Sequence, residues 1–533
     1  MVYYLYIPPL NTENYLTRRT NYVCKKHKQA KILESERTKM FKTGFDNNKY
    51  IKTQSEQIRK RISRFGGKLY MEFGGKLFDD NHASRVLPGF EPDSKLRMLL
   101  ELKDEAEIVI AVSAGAIESK NLRSDLNISY DMEVLRLIDL FRSVGLYVGS
   151  VVITQYSGQD SADVFKQKLL ALGVPVFIHY KIEGYPSNVK KIISETGYGK
   201  NEYIETSRRL VVVTAPGPGS GKMATCLSQL YHEHLRGIEA GYAKFETFPI
   251  WNLPLGHPVN LAYEAATADL NDVNMLDPFH LDAYNVKTVN YNRDIEIFPV
   301  LQAIFENIYG HSPYKSPTDM GVNMAGYCIF DDEAVCSAAK QEIIRRYCKA
   351  LCDRRKGLDV TKEIEKLELL LSKADISTAD RKVVSAANKV AEETGAPAAA
   401  IELADGTVLT GKTKQLLGAA SSLVLNALKH LAKIDDSLEL IPSDLIEPVQ
   451  SLKVNYLGSR NPRLHVDEIL VALSVAAATN KNAAKALSCL PMLKSAQVHC
   501  TVILSSPDSK IFSKLGVDLT TDPDYENDNL YHL

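Results

Sequence analysis

Between residues 68 and 246 the chain alternates short β-branched and aromatic runs with stretches of helical period, and this alternation restricts the fold more than any other feature. The runs are KLYMEF (68–73), EIVIAV (107–112), SVVITQY (150–156), VPVFIHY (174–180), RLVVVTA (209–215) and AGYAKFE (240–246). Strands spaced by helices form stacked β-α units and a parallel sheet, because parallel neighbours need long crossovers that helices supply. The stretch YDMEVLRLIDLFRSVG sets Val134, Leu135, Ile138 and Phe141 at three- and four-residue spacing, which reads as one apolar helix face. The expected architecture is α/β, a doubly wound and mostly parallel sheet. Such sheets bind ligands beyond the carboxyl ends of their strands, and Gly74, Ser113 and Gly217 follow strands at that edge.

At 533 residues the chain exceeds what one hydrophobic core organises. Residues 40–294 read as the α/β domain and 295–396 as a mainly helical subdomain, containing TKEIEKLELLLSKA and ADRKVVSAANKVAEETG. Residues 397–533 read as a second α/β domain in which Asp405-Gly406 marks a tight hairpin. Its order of strand, hairpin and helix resembles the cytidine-deaminase sandwich in shape, while the HxE and PCxxC zinc signature is absent. Residues 1–39 lack the apolar run of a signal peptide and are read as a disordered or non-native extension, with Met40 as a natural start.

Composition narrows the partners. Hydrophobic residues make up 45% and charged residues 24%, and the net charge is -1, so nothing general draws the chain to nucleic acid or to an anionic membrane. The longest apolar window, Leu470 to Ala478, falls short of the roughly 18 to 20 residues of a membrane span. The eight cysteines are scattered, which favours reduced thiols and a cytoplasmic location. Cys328, Cys336, Cys348 and Cys352 have no His at a zinc-like spacing and read as core or helix-face thiols. Oligomeric state is left open, a homo-oligomer included.

One stretch carries the clearest chemistry. VVVTAPGPGSGKMATC (211–226) runs from a strand through Gly217, Gly219, Ser220 and Gly221 to Lys222 and a helical pattern. Glycines let successive amides point at phosphate oxygens, and the helix start and the lysine add positive charge. Against the phosphate loop GxxxxGK followed by Ser or Thr, Pro216 replaces the first glycine and Met223 the magnesium-binding hydroxyl. Ser220 or Thr225 is the candidate replacement for that hydroxyl. Glu246, ending the next strand, is a candidate catalytic group and, with Asp269, a candidate magnesium ligand.

A second constellation lies at 64–90, where FGGK occurs twice. The second copy follows a strand, so Gly74, Gly75 and Lys76 form a candidate anion cradle. Asp79, Asp80, His82 and Arg85 stand behind it as candidate catalytic groups, offering carboxylate, imidazole and guanidinium in one loop. A third segment holds His257, Asn260, Glu264, Asp269, Asn271, Asp272, Asp277 and His280, residues suited to magnesium, to a polyhydroxylated ligand or to side-chain turns. Arg293 and Asp294 read as a clamp or an ion pair, and Gly199, Lys200, Arg208 and Arg209 as surface charge or as groups that close over a phosphate.

Four blocks, GGKLYMEFGGKLFDDNHASRVLPGF, APGPGSGKMATCLSQLYHE, GYAKFETFPIWNLPLGHPVNLAYEAATADLNDVNM and NYNRDIEIFPVL, resemble a bacterial family catalogued as domain of unknown function eighteen-forty-six. The resemblance runs from about Phe41 to the C-terminus. It implies an α/β architecture with a phosphate-loop-like motif and a separate C-terminal domain, and it carries over no catalytic residue.

The expected function is a nucleotide-dependent phosphoryl or nucleotidyl transferase, using ATP or another nucleotide with magnesium on a small phosphorylated or polyhydroxylated metabolite. Met223 keeps open a binding protein without turnover. The GGK loop and the polar segment keep open a phosphosugar enzyme that does not use ATP.

Overall fold

The computed structural model describes residues 42–74, 77–78, 80–123, 128–270 and 272–526. The expectations for residues 1–39 and for Gly75, Lys76, Asp79 and Asn271 therefore lie outside the described residues. The chain divides into two compact units, Gly44–Glu342 and Ile343–Leu533.

The first unit is built on seven strands, β1 Leu69–Phe73, β2 Ala106–Ser113, β3 Tyr147–Tyr156, β4 Val176–Tyr180, β5 Leu210–Thr214, β6 Gly241–Phe245 and β7 Gly321–Val322. They lie in the order β7-β6-β1-β5-β2-β3-β4, and every neighbouring pair is parallel. All six expected runs are strands of this sheet. Every residue of β2 is buried, which accounts for its uninterrupted apolar sequence: a strand covered on both faces has no solvent side to keep polar. The helix Tyr130–Ser143 buries Val134, Leu137, Ile138 and Phe141, and Leu135 is half-exposed instead. Leu137 completes the stripe because at 3.6 residues per turn it falls between Val134 and Phe141.

β7 is the strand the sequence conceals. Two residues give no period, so the stretch 295–396 reads as helical; in the structure Gly321 and Val322 pair with Lys244 and Phe245 at the edge of the sheet. That stretch is consequently shared out, with β7 in the first unit and the helices Thr361–Ala374 and Lys382–Thr394 in the second.

The second unit holds a mixed sheet of β8 Ala398–Glu402, β9 Val408–Lys412, β10 Gln497–Cys500 and β11 Asp518–Thr521, in the order β9-β8-β10-β11. β8 and β9 form the expected antiparallel hairpin, with Gly406 at φ +83 in its turn. β10 runs antiparallel to β8 and parallel to β11. Leu423, Val424, Ala427 and Leu428 of the helix Ala419–Leu431 pack into the core of this unit beside Leu473, Val498 and Phe512. The buried Arg381 guanidinium is satisfied within it, with Nε donating to Thr520 Oγ1 at 3.1 Å and Nη1 to Gln497 Oε1 at 3.2 Å. No described helix is long and apolar enough to cross a membrane.

Candidate functional site

Because β1 and β5 are parallel neighbours, with Glu72 opposite Val213, the two glycine turns that follow them leave the sheet side by side at its carboxyl edge. Only the turn after β5 is described in full. It enters the helix Lys222–Leu235 through Gly221, a left-handed N-cap at φ +81 with no side-chain cap, so no side chain takes up the amides of the first turn. Gly217 is required by space: a Cβ there would stand 2.0 Å from Tyr130 Oη. A Cβ on Gly221 would meet Thr154 Oγ1 at 2.9 Å. Neighbouring side chains fix the carbonyls away from the opening, with Thr154 Oγ1 donating to Ser220 O at 2.8 Å and Gln155 Nε2 to Gly219 O at 3.1 Å.

The hydroxyls expected to stand in for the missing magnesium ligand give their protons to the turn itself. Ser220 Oγ donates to Gly217 O at 2.9 Å and Thr225 Oγ1 to Gly221 O at 2.9 Å, and both residues are almost completely buried. These bonds brace the turn and leave the oxygen lone pairs uncommitted. Lys222 is half-buried at the helix start and has no hydrogen bond or ion pair among the described residues.

Along the same edge β6 ends in a buried cluster of charge. Lys244 Nζ donates to Tyr291 Oη and to Asp294, and it lies 3.1 Å from Glu246 Oε1. One ammonium thus faces two carboxylates in a site with little water. Burial, which outweighs the pull of Lys244, raises Glu246 to about 8, with Asp294 adding repulsion. Lys244 is held well above its ordinary value by Asp294, Tyr291 and Glu246 despite its burial. Near neutrality the cluster therefore holds Lys244 charged and Glu246 with its proton. Glu72 of β1 links the two features. It accepts a hydrogen bond from Tyr242 Oη at 2.8 Å, and its charge acts both on Lys244 and on Cys226, the thiol that also feels Lys222. Lys244 and Glu72 are register partners, so they share a face of the sheet.

The other expected residues divide differently. Gly74 closes β1, where a Cβ would have ordinary contact with Phe245 O at 3.7 Å. Asp80 caps the short helix Asn81–Val86, accepting from Ala83 N at 3.2 Å, and pairs with Lys95 at 2.7 Å; although burial alone would raise it, Lys95 and the cap keep it below the usual carboxylate range. This is an anchoring ion pair rather than a base. His82 packs edge-on against Phe248 and lies 3.6 Å from buried Glu342, and Arg85 ends the same short helix. Asp269 is exposed in a 3-10 turn and does not join Glu246; Asp294 is the carboxylate that does. Lys244 stands between the carboxylates of Glu246 and Asp294.

Several residues of the Asp- and Asn-rich segment are engaged in local turns, caps and contacts with the stretch 316–318. Asn260 brackets Ile250, Glu264 accepts from Asn274 N, Asp277 caps the helix Pro278–Tyr284 and accepts from Thr318, and His280 bonds Ser316. Arg293 pairs with Asp272 rather than with Asp294. Lys200 lies over the Tyr180 ring and Arg208 over Tyr147, which places them in surface contacts.

One juxtaposition escaped the sequence: His257, Asp332 and Cys336 bring ligand atoms within 4.8 Å of one another. His257 Nδ1 accepts from Val259 N, so the neutral ring carries its proton on Nε2, which lies 3.0 Å from Asp332 Oδ1 and 3.4 Å from Cys336 Sγ. A metal at Nε2 would have to displace that proton and break the cap. Burial and Asp332 also push the Cys336 thiol up to about 11. The cluster reads as a helix cap.

Comparison with known proteins places this geometry in a family. Residues 43–375 match the model described as domain of unknown function DUF1846, N-terminal, and residues 379–531 match its C-terminal counterpart. A UPF0371 protein of Streptococcus thermophilus (strain CNRZ 1066) is 56% identical over 492 residues, covering 92% of this chain and 100% of the relative. A UPF0371 protein of Streptococcus pyogenes serotype M5 is 55% identical over 488 residues, covering 92% and 99%.

Proposed function

The chain belongs to the DUF1846 family over nearly its whole length, and from the residues at its sheet edge we propose that its N-terminal unit binds a small phosphorylated metabolite without magnesium and acts on it by acid–base chemistry. The observation that carries this reading is the uncapped start of the helix Lys222–Leu235, opened by Gly221 beside Lys222, which has no partner among the described residues. Free amides, the helix dipole and an ammonium converge on one anion. Lys244, an ammonium standing between the carboxylates of Glu246 and Asp294, argues for a phosphate gripped without a metal. Glu246 supplies the proton: a carboxyl still protonated near neutrality is suited to general acid work.

A second reading, magnesium-nucleotide phosphoryl or nucleotidyl transfer through a P-loop-like turn, is favoured by the placement of Lys222 directly after Gly-Ser-Gly at the end of a strand. A thermal-shift panel of sugar phosphates and nucleotides, with and without magnesium, separates the two. The first reading expects a sugar phosphate to stabilise the protein without magnesium, by about 2.7 kcal/mol at a hundredfold excess over its dissociation constant, and expects Lys222→Ala to abolish the shift. A response confined to nucleotides with magnesium would transfer the case to the second reading. Silence towards every phosphate compound would end both.

A further inference from the structure

The longest apolar window of the sequence, Leu470 to Ala478, supplies most of the helix Val466–Ala476 in the second unit. The inner face of this helix, with Ile469, Ala472, Leu473 and Ala476, is buried in the core of that unit. Its outer face is apolar as well. Val471 and Val475 are 63% and 57% exposed, and exposed Ser474, the one polar residue of the window, shares their side of the helix. A surface helix ordinarily turns charged residues outward, and a helix that is apolar all round belongs in a buried place. From Leu470 to Ala478 this one presents no charge to water.

A second apolar surface adjoins it. The helix Ser443–Ser451 packs against Val466–Ala476 and runs into a π-helical turn, Leu452–Tyr456, which Leu457 N closes by donating to Leu452 O at 3.0 Å. Such turns are rare and are frequent at functional sites. This one leaves Tyr456 and Leu457 in solvent at 80% and 73% exposure, with Leu452 also exposed. Lys453, the one charge in the turn, is buried instead, its Nζ donating to Arg463 O at 2.6 Å and to Glu468 Oε2 at 2.8 Å. Glu468 precedes Val471 by three residues, so this contact sets the turn against the outer stripe of the helix. Charge is withdrawn and an aromatic ring put forward, which is the composition that sets the core of a protein interface apart from ordinary surface.

We propose that this face joins the chain to a second copy of itself about a two-fold axis. Its size and its charges select that occupant. The five apolar side chains, each more than half exposed, present on the order of 500 Å² of apolar surface, about the apolar share of the roughly 800 Å² that each partner gives to a stable homodimer. The exposed charges that flank the segment 443–457 differ in sign, with Asp444 and Glu447 near its start and Arg460 just past its end, and none of them has an ion pair among the described residues. A two-fold axis across the segment sets the acidic end of one copy against the arginine of the other, the self-complementarity that an isologous interface requires, whereas a flank of one sign would repel its own image. The inference is independent of the phosphate reading, because it uses no residue of the first unit.

The test is sedimentation velocity of the full chain from about 1 to about 100 µM, for the wild type, for Val471→Glu combined with Val475→Glu, and for Tyr456→Ala. All three side chains already meet water, so each variant is expected to keep the helical circular-dichroism spectrum of the wild type. The expected result is a wild-type dimer, a monomer with the paired glutamates, and association weakened at least tenfold by Tyr456→Ala. Tyr456 lies outside the helix Val466–Ala476, so its variant decides the matter should the glutamates disturb that helix. A wild-type chain that is monomeric throughout the series overturns the proposal. An oligomer whose size and dissociation constant are the same in both variants overturns it equally.

Discussion

The two units each present a helix that begins at a glycine without a side-chain cap, and the surroundings of the two starts differ in kind. At Gly221 the turn is rigid, its glycines forced by Tyr130 and Thr154, and the neighbouring strand ends in the buried Lys244, Glu246 and Asp294 cluster. At Gly418 there is open space, a shaped cavity and an exposed arginine, with every wall carboxylate already paired. The first arrangement can both hold an anion and move a proton. In the second, His465 and Asp508 hold each other: the partner raises the imidazole and lowers the carboxyl. The difference teaches that two open helix starts of the same backbone form can be set among quite different groups, and that what a start could do depends on what titrates beside it.

The comparison breaks most severely at Lys244. Lys244→Met strands Asp294 in a buried site, and urea denaturation is expected to show a loss of about 3–5 kcal/mol, the cost of removing one partner of a buried ion pair. Lys222→Ala carries no such cost, because that lysine has no partner among the described residues, and a stability loss of comparable size there would refute its assignment as a ligand-facing group.

Next in size is the turn itself. Gly217→Val drives a side chain into Tyr130 and is expected to cost about 1–3 kcal/mol by overpacking while abolishing the phosphate response. A variant that keeps both stability and response would show that the turn tolerates another shape.

The proton on Glu246 is read from the pH dependence of stability. Its folded value, about 8, lies above its ordinary 4.5, so the folded state keeps a proton that the unfolded chain has released between those values. Stability from this group is complete below 4.5 and is lost as pH rises towards 8, by about 1.4 kcal/mol per pH unit at most. Glu246→Gln keeps the neutral shape and is expected to flatten that slope, measured as denaturation midpoints from pH 5 to 8. An unchanged slope would remove Glu246 as the proton donor.

The smallest effect belongs to the other helix. Gly418→Asp is expected to stabilise the second unit by a few tenths of a kcal/mol, as a carboxylate cap at a positive helix end does. Destabilisation would mean that the space above the helix start is already filled.

Much of the scaffold was legible in the residues. The runs from KLYMEF to AGYAKFE are strands because β-branched stretches buried on both faces stand out against the helical periods between them. β7 was not legible, since Gly-Val takes its extended form from pairing with β6 and not from any local pattern. Of the site, the glycine turn and Glu246 were found by their place at strand ends. The meeting of Lys244 with Asp294, which the sequence had set beside Arg293, was not legible, because it spans about 50 residues of sequence through a helix start, Asn292–Tyr309, that no spacing rule connects to β6. Asp80 and Asp277 look reactive in the sequence because capping residues and catalytic carboxylates are the same residue types, and only their hydrogen bonds tell them apart. The cavity at Gly418 has no motif at all: LLGAASS is ordinary, and Thr413 and Arg460 reach it from separate segments.

The most direct test of the account is the dissociation constant of a sugar phosphate measured calorimetrically in the presence of a metal chelator, in the wild-type chain and in Lys222→Ala. The account expects binding that survives the chelator and falls at least tenfold in the variant. Binding that vanishes with the chelator, or that ignores the loss of Lys222, would contradict it.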